Sequence, residues 1–516
     1  MGTLLSFGDI AHRVAPPEKS FNIFYLPPET TSETQYMQVL HISAECYPAA
    51  KAGGLGDVVG ALPKYLNEQG VTTGVIIPKY YRKWYHQQTW QEHYRGAVRV
   101  GHETIPFTIE KAAGDPLGFH FFAVNMPGKF DREGIYQPTS GGNYGDDVTR
   151  WIAFQGAVLQ WISQFDRKPS VLHCHDHHTG FIPYLVKYCP YYQSLADVPT
   201  VFTIHNGQYP GAFSWENLYL LPPSDPWKQP LLDWNKTINP LACGIKTCWR
   251  LTTVSNQYLE ELRHSAAGLE SLLSHERHKS QGILNGIDHT VWDPKTDHYI
   301  AHHLRSNRIT EFKRKNKEKL LERFRFQPDL PVFTFIGRLV KEKGADLLPD
   351  LIGSYMRSGL EGNFLVLGTG DPWVHDSLAA LRGHYPGRVD VALEYNEGLA
   401  HQLYAGSDYL LMPSRVEPCG LNQMYAMRYG TIPVVRATGG LSDTVPDLGE
   451  GIHGRGFRFN NFSVDDALGA CYRATMMYHR DEKAVQAVRK RIMAVDLSWE
   501  RSAGEYKKLY ESLRPV

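Results

Sequence analysis

Met37-Gln38-Val39-Leu40-His41-Ile42-Ser43 is followed, past Pro48, by Lys51-Ala52-Gly53-Gly54-Leu55-Gly56-Asp57 and an apolar stretch reaching Gln69. A short β-rich run, a loop with a glycine turn and an apolar helix from about Gly56 to Gln69 make a strand–loop–helix unit. Apolar runs of the same kind recur at Thr73-Gly74-Val75-Ile76-Ile77-Pro78, at Ser170-Val171-Leu172-His173-Cys174-His175 and at Thr200-Val201-Phe202-Thr203-Ile204-His205, each ending where polar residues begin. Strands of this kind alternating with helices imply a buried parallel sheet. A second series follows Gly282-Ile283-Leu284-Asn285-Gly286-Ile287-Asp288, with strands expected at 332–336, 364–367, 409–412 and 432–435. The chain therefore reads as α/β, two Rossmann-like doubly wound domains with a cleft between them, because ligands of such sheets bind beyond the carboxyl ends of the strands.

The length of 516 residues suits two domains of ordinary size. We expect an N-terminal extension at 1–36, a first domain at 37–287, a second at 288–496 and a terminal segment at 497–516. Trp499, Ala503, Tyr506, Leu509, Tyr510 and Leu513 of that segment fall at helical spacing, so one apolar face must pack on something. The charged stretch from Glu311 to Arg325 reads as a solvated helix. Lys and Arg number 54 against 54 Asp and Glu, a balance that argues against a nucleic-acid partner. The 7 cysteines include no C-x-x-C pair and suggest a reducing cytoplasm rather than a disulfide framework. No apolar run approaches the roughly 20 residues that span a bilayer, and the N-terminus lacks a basic segment followed by an apolar core. Met1-Gly2-Thr3-Leu4-Leu5-Ser6 fits the loose myristoylation pattern, which also arises by chance.

Four segments carry chemistry. In Lys51 to Asp57 the paired glycines admit a ligand close to the backbone, the helix start offers unpaired N–H groups to phosphate, and Lys51 adds positive charge. A tight strand-to-helix turn would use the same glycines, and their positions at 53, 54 and 56 do not make the dinucleotide G-x-G-x-x-G. Gly337-Arg338-Leu339-Val340-Lys341-Glu342-Lys343-Gly344 ends a strand of the second series. Arg338 and Lys343 can both face a diphosphate if this loop bends back, offsetting leaving-group charge without a metal; ordinary surface cations are the alternative. In Ser414-Arg415-Val416-Glu417-Pro418-Cys419-Gly420-Leu421 a carboxylate on a Pro-stiffened loop can accept from sugar hydroxyls, and the amides of Cys419, Gly420 and Leu421 suit phosphate. Glu417 could equally serve only as a charge at a helix N-terminus. Finally, His173-Cys174-His175-Asp176-His177-His178 could hold zinc, which would imply metal-assisted hydrolysis. Neighbours on a strand point to opposite faces, however, and no distant H-x-x-x-H or Cys pair completes a tetrahedral set. The cluster reads better as a polar cleft edge with Asp176 toward substrate.

Together these segments resemble the bacterial glycogen synthase and plant starch synthase family, retaining glycosyltransferases of the GT-B fold, from about Met37 to the C-terminus. The matches are K-x-G-G-L at 51–55, His175-Asp176 with His178-Thr179-Gly180, Phe202-Thr203-Ile204-His205-Asn206, Leu284-Asn285-Gly286-Ile287-Asp288, Gly368-Thr369-Gly370-Asp371-Pro372, Glu417-Pro418-Cys419-Gly420-Leu421 and Thr438-Gly439-Gly440-Leu441-Ser442-Asp443-Thr444-Val445. The resemblance implies that Lys51, Gly53 and Gly54 approach a nucleotide diphosphate that Arg338 and Lys343 neutralise from the other domain. Glu417 would hold the transferred glucose, with Cys419, Gly420 and Leu421 beside the diphosphate. Asp176, His205 and Asn285 would line the glucose and acceptor side, as would Asp57, and Tyr395 would set its ring against the base. The implied reaction transfers glucose from ADP-glucose, or UDP-glucose, to the non-reducing 4-hydroxyl of an α-1,4-glucan such as glycogen or a malto-oligosaccharide, with retention. No cofactor, no metal and no membrane or nucleic-acid partner is implied, and the C-terminal helix would cross back to the first domain.

Three departures stand out. The family commonly has a lysine three residues after the Asn of the segment preceding its Val-Ser-Pro motif, where this chain has Asn239-Pro240-Leu241-Ala242, and Val254-Ser255-Asn256 replaces the proline. Asn422 stands where a Thr is common. Open alternatives are a GT-B transferase with another acceptor, such as a sucrose-forming one, a zinc hydrolase, and a catalytically silent glucan- or nucleotide-binding protein.

Overall fold

Apolar strand runs and amphipathic helices assemble two large sheets, beside a two-stranded ribbon of Asp233–Trp234 with Thr237–Ile238. The computed structural model describes residues 37–138 and 141–513; the extension at 1–36 lies outside the described residues. The first sheet holds β1 (Gln38–Ile42), β2 (Thr72–Pro78), β3 (Trp90–Val100), β4 (Glu103–Ala112), β5 (His120–Asn125), β6 (Val171–His175), β7 (Thr200–Ile204), β8 (Arg250–Thr253) and β9 (Ser280–Gly282). Their spatial order is β9-β8-β7-β6-β1-β2-β5-β4-β3. From β9 to β5 the strands are parallel, and β4 and β3 add an antiparallel edge. The second sheet holds β10 (Val332–Ile336), β11 (Asn363–Leu367), β12 (Val389–Ala392), β13 (Tyr409–Met412), β14 (Ile432–Arg436) and β15 (Phe457–Phe459). It is parallel throughout, in the order β12-β11-β10-β13-β14-β15.

The parallel part of each order reverses direction once, between β1 and β6 in the first sheet and between β10 and β13 in the second. Loops leaving the carboxyl ends of strands at such a reversal part to opposite sides and open a crevice. The four loops concerned carry the glycine turn, Asp176, Arg338 with Lys343, and Glu417.

Five helices frame this crevice: α1 (Gly54–Glu68), α2 (Asn256–Leu262), α3 (Asn422–Arg428), α4 (Gly439–Thr444) and α5 (Trp499–Glu511). α1 starts two residues before the expected Gly56, which places Gly54 in its first turn. The apolar face of α5, with Trp499, Ala503, Tyr506, Leu509 and Tyr510, joins Val58, Leu62, Tyr65 and Leu66 of α1 and Val39, Val171 and Val201 of the first sheet in one core. The C-terminal helix therefore packs on the first domain, tied by Ser502 Oγ to Leu284 O at 2.6 Å and by Gln69 Nε2 to Glu500 O at 2.7 Å. The helix expected from Glu311 is Ile309–Phe324, and Arg325 ends it at φ 52° in the left-handed region; it is solvated on one side only, for Phe312, Lys313, Asn316 and Leu320 are buried. No helix among the described residues is long and apolar enough to cross a membrane.

Candidate active site

Between the two sheets lies a cleft of about 1100 Å³, walled on one side by Glu45, Gly53, Gly54, Asp176, His205 and Asn285. Arg338, Lys343, Glu417, Cys419, Gly420 and Leu421 wall the other. Lys51, Asp57 and Tyr395 stand outside this lining. Direct bonds join the halves beside the cleft. Ser255 Oγ, which also caps α2, donates to Pro418 O at 2.6 Å, and Glu261 accepts from Gly439 N at 2.7 Å and Thr438 Oγ1 at 3.1 Å.

The glycine turn is organised by a carboxylate that the motifs did not single out. Glu45, buried just after β1, takes the amides of Ala52 and Gly53 on Oε2 at 2.6 and 2.9 Å and the Tyr136 hydroxyl on Oε1 at 2.5 Å. The first turn of α1 has no side-chain cap, so its remaining amides stay open to an anion. A Cβ built on Gly53 or Gly54 would meet nothing within 4 Å. Packing thus does not require glycine at either position, and the open space lies toward the cleft. Lys51 pairs with Asp57 at 2.6 Å. Tyr395 is 86% exposed, its phenol raised by desolvation and by Glu397, with the charges of Lys51 and Asp57 also reaching it. These three residues form a rim where the domains meet, rather than the cleft floor.

On the second side the two cations differ. Lys343 Nζ donates to both oxygens of Glu417, at 2.7 and 2.8 Å, and Ser414 Oγ donates to Oε2 at 2.9 Å. A carboxylate that is 7% exposed requires such partners. The side chain of Arg338, exposed and lining the cleft, makes no ion pair or hydrogen bond among the described residues. The free positive charge is therefore Arg338, and Lys343 shares its own with Glu417. Gly420 needs its identity, since its φ is +75°. Asn422 Nδ2 donates to Ile336 O at 2.6 Å, binding α3 to the end of β10.

Asp176 sits at φ 55° and ψ 179°, a conformation avoided by residues with a Cβ. Its Oδ1 accepts from the amides of His205 at 2.7 Å and Asn206 at 3.4 Å. Burial nevertheless pushes the carboxyl up to about 7, with the Glu45 charge adding to it and the amides opposing. Burial pulls His205 down to about 3, so its imidazole is neutral. Asn285 presents a buried Oδ1 without a partner at the cleft wall, an acceptor open to a ligand. The run from His173 to His178 does not converge as a metal set. The imidazoles that do gather are His41, His173 and His175, whose ligand atoms lie within 4.8 Å of one another. Their nitrogens are engaged with one another and with Thr203, Tyr510 and His205, apart from His41 Nε2. His177 and His178 lie against each other at the cleft wall, their rings tilted by 37°.

Residues 38–275 match the family model of the starch synthase catalytic domain, and residues 316–467 that of glycosyl transferases group 1. The glycogen synthase of Flavobacterium johnsoniae is 47% identical over 475 residues, covering 92% of this chain and 98% of that one. The chain belongs to the glycogen synthase and starch synthase family. A glycogen synthase of Anaeromyxobacter sp. is 37% identical over 490 residues, 92% of this chain and 99% of the relative. Among solved structures, the catalytic domain of starch synthase IV from Arabidopsis thaliana, bound to ADP and acarbose, superposes with a TM-score of 0.80 at 30% identity, over 92% and 99% of the two chains. Sucrose-phosphate synthase from Thermosynechococcus elongatus, with a TM-score of 0.57 at 17% identity, shares the fold. This family member is a glycosyltransferase with the GT-B architecture. Its other two departures, besides Asn422, also have a place in the fold: Ala242 is fully buried and does not line the cleft, and Asn256 Oδ1 accepts from Gly282 N at 3.1 Å.

Proposed function

We propose that this glycosyltransferase moves glucose from ADP-glucose, with UDP-glucose as the alternative donor, to the 4-hydroxyl at the non-reducing end of an α-1,4-glucan and retains the α configuration. The observation that carries this reading is one cleft shared by two pairs of groups, the unpaired Arg338 side chain with the uncapped start of α1, and Asp176 with His205. An anionic leaving group belongs against the first pair and a sugar against the second. The starch synthase IV structure, which holds ADP and acarbose, supports an adenine nucleotide and a glucan as the ligand classes.

In this reading Arg338, Lys343 and the α1 amides stabilise the charge that grows on the diphosphate as the donor bond breaks. Glu417 accepts from hydroxyls of the transferred glucose while Lys343 and Ser414 hold it. Asp176 accepts from and His205 donates to sugar hydroxyls on the opposite wall, Asn285 adds an acceptor, and Tyr395 meets the base at the rim beside Lys51 and Asp57. Both Glu417 oxygens are already engaged and Asp176 is turned to two amides, so neither is a free nucleophile. Same-face attack as the diphosphate departs accounts for retention better than a covalent glycosyl-enzyme. Turnover then requires no metal. The free, buried cysteines support a cytoplasmic setting.

Supplying ADP-glucose and UDP-glucose in parallel to the purified protein on a glycogen primer, with a chelator in excess, tests this proposal. Chain extension from at least one donor, undiminished by chelation, is expected. Extension from neither refutes the reaction, and loss on chelation with rescue by zinc or magnesium refutes the metal-free step.

A further inference from the structure

Three imidazoles run in file from the core of the first sheet to the cleft. His41 on β1 places Nδ1 3.2 Å from Nε2 of His175 on β6, and His175 places Nδ1 3.0 Å from Nε2 of His205, the residue after β7. Of the three, only His205 lines the cleft. The parallel register makes the file possible. β1 pairs with β6 through His41 and His173, β6 pairs with β7 through His175 and Thr203, and alternate residues of each strand share a face. His173 stacks on the middle ring, its centroid 4.2 Å from that of His175. It is fixed in turn by the Tyr510 hydroxyl of α5 on Nδ1 at 2.7 Å and by Thr203 Oγ1 on Nε2 at 2.6 Å.

Burial holds His41, His175 and His205 below the usual histidine range, so each ring carries one N–H and one lone pair. Two proton patterns satisfy both bonds of the file. With every proton on Nε2, His205 donates to His175 and His175 to His41, and the last N–H, on His41 Nε2, is buried without a partner. With every proton on Nδ1, His41 donates to His175 and His175 to His205, and the atom without a partner in the core is a lone pair. Buried orphan N–H groups are rarer than under-satisfied acceptors, and an unmet donor is costly in a dry core. The second pattern is favoured, and it leaves the Nδ1–H of His205 as the free end of the file.

We propose that His175 and His41 are positioning residues: the imidazole file locks His205 as its neutral Nδ1–H tautomer, so that it presents a fixed, uncharged donor to the sugar while Asp176 beside it presents the acceptor. An uncharged ring at this point does not compete with Arg338 for the diphosphate. The proposal rests on the reading that His205 faces substrate. It also gives α5 a second task, since Tyr510 steadies the ring that packs against His175.

The test uses the full chain labelled with 15N-histidine, the His205 signals being identified by their loss in His205→Asn. Wild-type His205 is expected to be protonated on Nδ1 with Nε2 bare. In His175→Leu the lock is gone, so the Nε2–H form of His205 should appear and kcat should fall roughly ten- to a hundredfold, with KM for the donor changed less than about threefold. His175→Asn, whose amide can place an N–H near the lost Nδ1, should recover much of both. Wild-type His205 protonated on Nε2 overturns the proposal without any variant, and so does a folded His175→Leu with native kcat. Native turnover in His205→Asn removes the substrate-facing reading of His205 on which the proposal rests. An inactive His205→Asn beside a native His175→Leu leaves that reading standing and removes only the file.

Discussion

Replacing Arg338 by Ala separates leaving-group electrostatics from folding, because this cation makes no ion pair among the described residues and Lys343 does. Two unit charges about 4 Å apart interact by about 4 kcal/mol at an effective dielectric near 20. Removing one preorganised donor from a developing oxyanion costs about 3 kcal/mol in characterised enzymes. Arg338 is exposed in the open cleft, so screening tempers these figures, and a loss of about 2 to 4 kcal/mol in barrier is expected. That is roughly a thirty- to thousandfold fall in kcat. Its melting temperature should match the wild type. Lys343→Ala should behave differently, since it leaves Glu417 buried with Ser414 as its remaining side-chain partner. Breaking a fully buried pair from one side typically costs about 3 to 5 kcal/mol; Lys343 is part-exposed, so this variant should lose a smaller amount of stability, as well as turnover. Steady-state kinetics with the sugar nucleotide, glucan binding to the inactive variants and thermal melts together decide the matter. A folded Arg338→Ala with turnover within about threefold of native, or a Lys343→Ala with native stability, refutes the reasoning.

Asp176 gives a pH signature: its folded value of about 7 lies above the ordinary 3.8, so the stability it contributes is complete below its unfolded value and is lost as pH rises through about 7. Acceptance of a sugar hydroxyl needs the ionised form, so kcat/KM should rise through the same region, and a profile that is flat or falling there would contradict the assignment. Asp176→Gly removes both the buried carboxylate and the strained φ of 55°, so at pH 8 it should melt higher than the wild type while losing most turnover. Truncation from Trp499 removes six buried side chains from the core shared with α1, the five larger ones worth about 2 kcal/mol each, and should cost the fold as well as activity; a stable, active truncated protein would show that α5 is dispensable. Lys51→Ala should leave the melting temperature within about 2 °C, because its pair with Asp57 is exposed, yet raise KM for the donor; an unchanged KM would remove Lys51 from the donor side.

The parallel cores were legible because their strands are short apolar runs buried on both faces: 38–42, 72–78, 171–175 and 200–204 in the first sheet and 332–336, 363–367, 409–412 and 432–436 in the second. β3 and β4 escaped because they form an antiparallel edge with one solvated face, where Glu92, Arg95 and Arg99 interrupt the apolar pattern. β8, β9, β12 and β15 escaped because three or four residues carry too little periodicity. Most of the motif residues converge on the cleft, since each motif follows a strand that ends at a switch point. The pairing of Lys343 with Glu417 was not legible, because two loops distant in sequence must fold before either side chain finds the other. Glu45 could have been found: a lone acidic residue between the first strand and a glycine turn has amides within reach. The imidazole file was hidden for a different reason, since it draws on three strands and depends on register, and the histidine-rich run at 173–178 pointed toward metal instead.

The central claim is that one cleft, without a metal, transfers glucose from a sugar nucleotide to the end of an α-1,4-glucan with retention. The direct measurement is NMR of the product made from 13C-glucose-labelled ADP-glucose and a malto-oligosaccharide in the presence of excess chelator, with UDP-glucose run beside it. The account predicts a new labelled residue joined α-1,4 at the non-reducing end, at the same rate with and without chelator. A β-linked product, label released as free glucose alone, or label joined to a different acceptor hydroxyl would contradict it.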